Sequence, residues 1–324
     1  MPKHPQADIA LLTDRRYTAA TAAADDWYLR NILHDDALLQ NALAKFGLSS
    51  VRVDWADPDA DWPSFRCAVF RTTWDYYERI SEFTSWLKHT ATKVRLCNDP
   101  SIIWWNLDKR YLADLQNRGI PTVPSRYITP GGCLSLPDLL EDTGWDEAVV
   151  KPCISAGAYH TWRIRRDNAA EVQAALQPML EKNTFIIQPF LHDILHSGED
   201  TLMIIDGRFT HAIKKRPKPG DFRVQDDYGG TVHPLRPDPE QIRLAERAMA
   251  ACDAGLPNKP GYADELPSEK TSGHNPAYGR VDMARDNDGQ WVVMELELIE
   301  PELWLREEPS SAEIFAAAIA RMIS

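Results

Sequence analysis

Three glutamates stand inside one of the most apolar runs of the chain. The stretch MELELIEPELWL, residues 294–305, places Glu295, Glu297 and Glu300 among Met, Leu, Ile and Trp. In a strand, alternate side chains share a face, so Glu295 and Glu297 lie together while the neighbouring leucines take the other face. Two like charges on a half-buried surface repel each other and are costly to desolvate. The sequence therefore predicts a partner that compensates them.

A third carboxylate falls on the same predicted face. The strands YGRVDMAR and QWVVMELEL are joined by the turn DNDG. A two- or four-residue turn centred on Asn287-Asp288 puts residue 282 opposite residue 293, so that Asp282 shares the face of Glu295 and Glu297; a three-residue loop would reverse this. Three carboxylates on one face suit a hard divalent cation such as Mg²⁺, and the alternative is an exposed acidic face. Because the acids repel each other without an ion, we expect that removing one leaves the metal-free protein at least as stable.

Four basic residues are candidates for binding phosphate or acyl oxygens. Lys151 ends the strand EAVVKP, and a loop of small residues follows whose backbone N–H groups can approach a phosphate. That loop is Ser155, Ala156, Gly157 and Ala158. Lys109 lies in a helix predicted over NLDKRYL, and Lys215 and Arg223 are placed to meet an oxyanion. Each lysine alone is equally typical of an ordinary strand end or a solvated helix position.

The segment RTTWDY, residues 71–76, follows a strand of the N-terminal part. In open α/β sheets, ligands bind at the carboxyl ends of the strands. We therefore predict that Arg71 pairs with a carboxylate of the substrate and Asp75 with an ammonium group. The alternative is a packed strand terminus that caps the next helix.

Short strands alternate with helices over the first hundred residues. Strands are predicted over residues 8–14, SSVRVDW and FRCAVFRTTWD, and helices over residues 35–47 and YYERISEFTSWLKH. This β-α-β-β-α order predicts a small open parallel sheet with helices on its faces.

The pattern changes after residue 100. A helix is predicted over WWNLDKRYLADLQNRG, strands over TVPSRYI, EAVVKP, TWRIR and FIIQPF, and a hairpin around Asp206-Gly207. A helix at 239–253 and a strand at 278–285 enclose a segment rich in Pro and Gly, residues 255–276, which we interpret as a lid or an insertion. We predict an N-terminal substrate domain over 1–100, a central lid subdomain over 101–190 and a catalytic subdomain over 191–324.

The bulk composition is that of a globular protein. The 324 residues are 44% hydrophobic and 26% charged, with a formal net charge of −12. Such an acidic surface repels nucleic acid and anionic membranes. Five cysteines without CxxC spacing indicate reduced thiols instead of disulfides or zinc. With a polar first stretch and no apolar run near the ~18 residues that span a bilayer, we expect a cytoplasmic protein without a signal peptide.

Several motifs occur together in an order that resembles a known family. From Trp105 onward the chain contains NLDKRYL, VVKPCISAGA, FIIQPF, GEDTLMIIDG, KKRPKPGDFRVQDDYGG and VDM…MELELIEP. In this order they resemble an ATP-grasp ligase of the glutathione-synthetase type, and FRTTWDYYERI resembles part of the family's preceding substrate domain. The resemblance implies an α/β fold, with an ATP-grasp unit after a Rossmann-like pre-ATP-grasp domain.

The resemblance also implies roles for individual residues. Lys109 and Lys151 would contact ATP phosphates, and residues 155–158 would form the flexible phosphate loop. The linker beside adenine would be Gln188, Pro189, Phe190 and Leu191, with Glu199 as the ribose acid. Asp282, Glu295 and Glu297 would hold magnesium or manganese.

Two positions depart from glutathione synthetases. The last metal ligand is Glu297 where they have asparagine, and Thr201 follows the ribose acid where they have arginine. Both departures argue against glutathione as the product. The motifs RTTWDY, KRPKPGDFRVQ and MELELIEP instead resemble the ATP-grasp enzymes that close the cycloserine ring from O-ureidoserine, and their relatives.

The expected reaction is ADP-forming carboxylate–amine ligation through an acyl phosphate, on an amino-acid-like small molecule. An internal amine would give a ring and an external amine a linear amide. Two rival functions stay open at this point: an ATP-binding regulatory protein without turnover, and a ligase that modifies a protein tail. The sequence also leaves open whether the protein forms a homo-oligomer.

Overall fold

The N-terminal part folds around a four-stranded parallel sheet. The computed structural model describes residues 7–132, 135–225, 228–252 and 275–324. The first sheet contains β1 (Ile9–Thr13), β2 (Ser50–Asp54), β3 (Cys67–Thr72) and β4 (Arg95–Cys97) in the order β2-β1-β3-β4. Helices α1 (Trp27–Lys45) and α2 (Ile80–Thr90) connect these strands. All three pairings in this sheet are parallel, which confirms the predicted sheet.

Helix α1 begins well before its predicted start at residue 35. Its first residue is Trp27, and the Asp26 carboxylate caps it by accepting from Leu29 N at 2.9 Å. The segment that precedes residue 35 has no clear apolar period, so periodicity alone could not extend the helix to its cap.

The helix predicted over residues 104–119 is two short helices. They are α3 (Pro100–Asn106) and α4 (Tyr111–Asn117). Between them, Asp108 accepts from Arg110 N at 2.9 Å, and Lys109 N donates to Cys153 O at 2.9 Å. Lys109 therefore lies in the break between helices, where its backbone is tied to the strand-end segment that follows Lys151. Its predicted position within a helix is wrong.

The central part is an antiparallel sheet with two helices on one face. Its strands are β5 (Arg126–Ile128), β6 (Glu147–Pro152), β7 (Trp162–Arg165) and β8 (Phe185–Pro189), in the order β5-β8-β6-β7. Helices α5 (Leu136–Thr143) and α6 (Ala169–Leu180) supply leucines such as Leu139 and Leu176 to a core with Val150 and Ile187. The predicted strand EAVVKP coincides with β6.

A third, five-stranded antiparallel sheet carries the acidic run. Its strands are β9 (Glu199–Ile205), β10 (Arg208–Arg216), β11 (Thr231–Pro234), β12 (Tyr278–Arg285) and β13 (Trp291–Glu297), in the order β11-β10-β9-β12-β13. The short helix α7 (Asp193–His196) precedes it, and α8 (Pro239–Ala250) packs Leu244 and Met249 against Leu202 and Val281. The predicted hairpin is present, with Asp206 and Gly207 both at positive φ.

The final helix joins the N-terminal core. Helix α9 (Ser310–Ile323) packs Phe315 and Ile319 against Leu39 and Leu43 of α1. Each sheet lies within one of the three predicted segments, but this helix shares a core with the first of them. The proposed boundaries at 100 and 190 are compatible with the sheets, whereas the end of the third segment packs with the first.

Two buried asparagines hold the end of β13 against the N-terminal domain. Asn98 donates to Tyr278 O at 2.9 Å and Leu298 O at 2.8 Å, and Asn106 donates to Leu296 O at 2.8 Å. A buried amide whose donors are all paired fixes geometry, because leaving them unpaired would cost free energy. The acidic run is therefore held at the junction of the domains.

Some predictions fall outside the described residues. Most of the segment 255–276 and Cys133 lie there. The other four cysteines are buried. No helix in the described ranges is long and apolar enough to cross a membrane.

Candidate active site

One cavity of about 450 Å³ is lined by residues of all three parts of the chain. Small-molecule sites span roughly 300–1,000 Å³, so its volume is in the usual range. The predicted site residues that line it are Lys109, Lys151, Ser155, Ala156, Gly157, Ala158, Gln188, Pro189, Phe190, Leu191, Glu199, Lys215, Arg223, Asp282, Glu295 and Glu297. Residues quoted from separate motifs therefore meet at one place.

The three acids share a sheet face through a register different from the predicted one. Asp282 pairs with Glu295 instead of Val293. The loop 286–290 has an odd length, which alone would turn Glu295 to the opposite face. A bulge corrects this, since the register skips Met294 and thereby adds one residue to β13. The predicted pairing is therefore wrong. The predicted face is right, because the odd-length loop and the one-residue bulge each turn Glu295 to the other face and the two reversals cancel.

Glu295 is paired with both lysines that the sequence suggests for phosphate. Its Oε1 lies 3.1 Å from Lys109 Nζ and its Oε2 lies 3.8 Å from Lys151 Nζ. Burial alone would raise the pKa of Glu295, but the two ammonium groups outweigh it and hold that pKa below its ordinary value. Burial opposes the charge of both lysines. At Lys109 the attraction of the Glu295 carboxylate outweighs burial, and the pKa is raised. At Lys151 burial outweighs that attraction, and the pKa is lowered.

The remaining acids surround Arg280 and Lys215. Asp282 lies 2.8 Å from Arg280 Nη2 and 3.2 Å from Lys215 Nζ, while Glu297 pairs with Arg280 and Glu199 with Lys215. Burial would raise the pKa of Asp282, but Arg280 and Lys215 outweigh it and lower that pKa. For Glu199 and Glu297 burial wins over the cations and raises each pKa to about 7. The compensating partners expected for the acids are thus cations of the protein itself.

The acids provide the donor set of a hard divalent cation. Asp282 and Glu295 are directly opposite each other, and every donor in the set is a carboxylate oxygen, the ligand that Mg²⁺ prefers. In the described ranges no three Asp, Glu, His or Cys side chains converge as they would around an ion, because these acids are turned toward lysine and arginine. The residues present fit such an ion, and the metal role stays a prediction.

The small-residue loop lies directly beside Lys109. Lys109 Nζ donates to Ser155 O at 2.6 Å, and Ser155 Oγ donates to Pro152 O at 3.0 Å. Gly157 has a φ of +57°, a left-handed conformation that glycine adopts without strain. The loop thus brings small residues and their backbone next to the Lys109–Glu295 pair, which is the arrangement that a phosphate loop needs.

The end of β8 and the segment around Arg223 also line the cavity. Gln188 donates to Ser125 Oγ at 3.1 Å, and the Arg163 guanidinium lies 3.8 Å from the centre of the Phe190 ring. Arg223 binds Asp221 through Nη2 at 2.8 Å. The Arg223 side chain therefore reaches the cavity with its orientation already set by a carboxylate.

Arg71 and Asp75, predicted to contact the substrate, are not among the residues that line the cavity. Arg71 is 3% exposed, and its Nε donates to Asp36 on α1 at 3.0 Å. Asp75 accepts from Trp55 Nε1 at 2.8 Å and from Arg79 Nη2 at 2.6 Å. Both side chains pair within the N-terminal domain, as expected of a packed strand terminus, although neither caps helix α2. These contacts do not support the predicted role in binding substrate, which stays a prediction.

Residues that were not predicted to form the site also line the cavity. From the N-terminal side these are Arg16, Tyr17, Tyr28, Trp74, Tyr76 and Tyr77, and from β12 and the segment after β13 they are Arg280, Glu300, Glu302 and Trp304. A signal for Arg280 was present, because it stands two residues before Asp282 in a strand and must share its face. Arg16 and Tyr28 carry no comparable signal, since only the tertiary fold brings their segments to the site.

Comparisons with known proteins agree with this architecture. Residues 9–98 match the family model "D-cycloserine synthetase DcsG, N-terminal domain", and residues 137–253 match "Prokaryotic glutathione synthetase, ATP-grasp domain". The cycloserine biosynthesis protein DcsG of Streptomyces lavendulae is 32% identical over 298 residues, which is 90% of this chain and 94% of that protein.

Solved structures show the same similarity in three dimensions. The crystal structure of D-cycloserine synthetase DcsG has a TM-score of 0.79 at 29% identity, covering 98% of this chain and 99% of that one. D-alanine–D-alanine ligase from Bacillus anthracis complexed with ATP has a TM-score of 0.63 at 14% identity, covering 97% and 96%. The second likeness shows the shared ATP-grasp fold alone.

Proposed function

Because this chain belongs to the family of the ATP-grasp ligase D-cycloserine synthetase, we propose that it activates the carboxylate of a small amino acid as an acyl phosphate and closes it onto a nitrogen of the same molecule. Its activity class is that of the family, an ATP-dependent, ADP-forming carbon–nitrogen ligase. The proposed ring closure concerns O-ureidoserine or a molecule of the same class.

The observation that carries the proposal is the meeting of phosphate-type and acid-type residues in one cavity. Lys109 and Lys151 converge on Glu295 beside the loop of residues 155–158. In the proposed complex the two lysines contact ATP phosphates and the loop covers them. Residues 188–191 lie beside adenine and Glu199 beside the ribose, as in the resembling family.

The metal site is part of the same proposal. Asp282, Glu295 and Glu297 would hold Mg²⁺ or Mn²⁺, which would supply positive charge to offset the negative charge of the ATP phosphates. Binding would require these carboxylates to turn from Arg280 and the lysines. That exchange leaves the protein cations free to bind phosphate and acyl oxygens.

The cations of the third sheet suit both chemical steps. A substrate carboxylate oxygen attacks the γ-phosphate and ADP leaves; an amine nitrogen then attacks the acyl carbon, loses its proton, and phosphate leaves with that same oxygen. Arg280, Lys215 and Arg223 line the cavity, the first two in contact with Asp282, and can stabilise the tetrahedral oxyanion. The pKa of each of the three is raised from its ordinary value by neighbouring carboxylates, which outweigh burial, so all three keep their positive charge.

A screen for substrate-dependent ADP release tests the proposed function. The protein is incubated with ATP, Mg²⁺ and a panel of amino acids that includes both enantiomers of O-ureidoserine. We expect ADP only when the correct carboxylate is present, and Lys151→Met should need a roughly ten- to hundredfold higher ATP concentration for the same rate. ADP release at the same rate without any acceptor, or no release with any member of the panel, would contradict the proposal.

A further inference from the structure

Glu300 is a buried acid in the cavity that the proposed reaction has not used. It follows β13, is 7% exposed and lines the cavity, and its backbone oxygen accepts from Trp74 Nε1 at 2.9 Å. Its carboxylate makes no ion pair with any residue in the described ranges, and the hydrogen bond that acts on it comes from its own backbone N–H. By contrast, the neighbouring Glu297 and Glu302 each have an arginine partner.

The charges that act on Glu300 leave it without compensation. Burial, followed by the Glu297 carboxylate, raises the pKa of Glu300 to about 8. The backbone N–H of Glu300, followed by Lys109 and Arg280, lowers this pKa without offsetting burial, and the two cations are already paired with Glu295 and Asp282. A buried carboxylate without a partner is costly, so a protein keeps one where a ligand supplies the missing cation.

The surroundings of Glu300 suit an ammonium group. Trp74 and Tyr76 line the same cavity, and after burial the Glu300 charge is what raises the pKa of Tyr76 most. The rings of Tyr17 and Tyr28 contact Trp74, with centroids at 5.4 and 5.9 Å. A carboxylate in a cavity that is also lined by aromatic rings can attract a cation, since a ring face carries negative potential.

We propose that Glu300 binds the substrate's amino group as an ammonium ion and thereby fixes which nitrogen reacts. The inference rests on the proposed function, because it concerns the substrate of that reaction. An ammonium has no lone pair, so the amino group held at Glu300 cannot attack the acyl carbon. The attacking nitrogen must then be a different one in the same molecule, as ring closure of O-ureidoserine requires.

The inference is tested with Glu300→Gln, which keeps the size of the side chain and removes its charge. Steady-state ADP release is measured with O-ureidoserine and with its analogue in which hydrogen replaces the amino group. We expect the KM for O-ureidoserine to rise about ten- to hundredfold, the effect of losing one hydrogen bond to a charged group. The KM for ATP should not change, and the variant should handle the analogue as wild type does.

Two further variants make the comparison specific. Glu302→Gln removes a second carboxylate of the cavity, one whose Oε1 already accepts from Arg306 at 2.7 Å; its KM for O-ureidoserine should stay within about fivefold of wild type. Glu300→Asp keeps the charge on a shorter stem and should recover part of the affinity. Calorimetric binding of a non-hydrolysable ATP analogue checks that each variant is folded.

The possible outcomes separate the two proposals. Three results for Glu300→Gln would overturn the role of Glu300: an unchanged KM for O-ureidoserine, an equal rise in KM for the amino-free analogue, or a shifted Mg²⁺ requirement with unchanged KM. In each case wild-type turnover would still support the proposed ligase. If the panel identifies a different amino acid, the same comparison uses it and its amino-free analogue. Absence of ADP release by wild type with every amino acid would overturn the proposed function, and this inference with it.

Discussion

Removing Glu295 should destabilise the protein even without metal or nucleotide. The side chain lies 3.1 Å from Lys109 Nζ and 3.8 Å from Lys151 Nζ, and it is 26% exposed while the lysines are 7% and 16% exposed. Glu295→Ala would leave two buried ammonium groups facing each other without a carboxylate. This is the reverse of the expectation from the sequence, which considered only repulsion among the acids.

The size of the effect follows from the geometry. Removing one partner of a buried ion pair costs about 3–5 kcal/mol. Two features reduce this cost here: a quarter of Glu295 is exposed, and Lys109 Nζ keeps its 2.6 Å contact with Ser155 O. We therefore expect the free energy of unfolding to fall by ~2–3 kcal/mol, which lowers Tm by ~4–12 °C.

Thermal and urea unfolding at neutral pH in a chelating buffer measure this difference. The matched control is Glu313→Ala, whose carboxylate pairs with Lys45 on the surface at 58% exposure and should contribute at most ~1 kcal/mol. Because the pKa of Glu295 is lowered from its ordinary value of 4.5, its contribution is full above that pH and is lost as the pH falls through the folded-state value. An alanine variant as stable as wild type at neutral pH would refute the pairing.

Three other predictions follow from the same contacts. Lys151→Met should weaken ATP binding roughly ten- to hundredfold by calorimetry, since a charge-assisted phosphate contact is lost; unchanged binding would make Lys151 an ordinary strand-end residue. Asp75→Asn should lower Tm and leave the substrate KM unchanged, because the carboxylate binds Trp55 and Arg79 inside the domain; a raised KM with unchanged Tm would restore its substrate role. Burial raises the pKa of Glu300 from 4.5 to about 8, so its ionisation destabilises the fold increasingly as the pH rises over that interval. Glu300→Gln should therefore unfold at a higher temperature than wild type at pH ~8 but not near pH ~4.5. If the Tm of the variant equalled that of wild type at both pH values, the carboxylate would not be buried without a counter-ion.

Alternation along strands was the most reliable guide to the site. It placed Glu295 and Glu297 on one face, and applied once more it would have added Arg280. The register itself could not be derived, because the odd loop and the bulge at Met294 are each invisible to a period-two pattern. The predicted face of Asp282 was correct only because the two features together shift the register by an even number of residues.

Roles that depend on local geometry at element ends were harder to predict. The apolar period through residues 104–119 continues across the break at Lys109, which is set by hydrogen bonds to Asp108 and Cys153. Likewise, Arg71 has the position expected of a ligand-binding residue, but Asp36 on α1 takes its charge. In both cases the conformation depends on a residue that is distant in sequence, and no pattern within the motif predicts that contact.

The central claim, an acyl phosphate formed from the substrate carboxylate, can be tested by following one oxygen atom. The carboxylate of the substrate found in the screen is labelled with heavy oxygen, and the phosphate released during turnover is weighed by mass spectrometry. Attack on the γ-phosphate and later departure of phosphate should move one labelled oxygen from the substrate into each phosphate. Unlabelled phosphate would mean that water hydrolyses ATP, and a stable phosphorylated product would mean a kinase; either result would contradict the ligase mechanism.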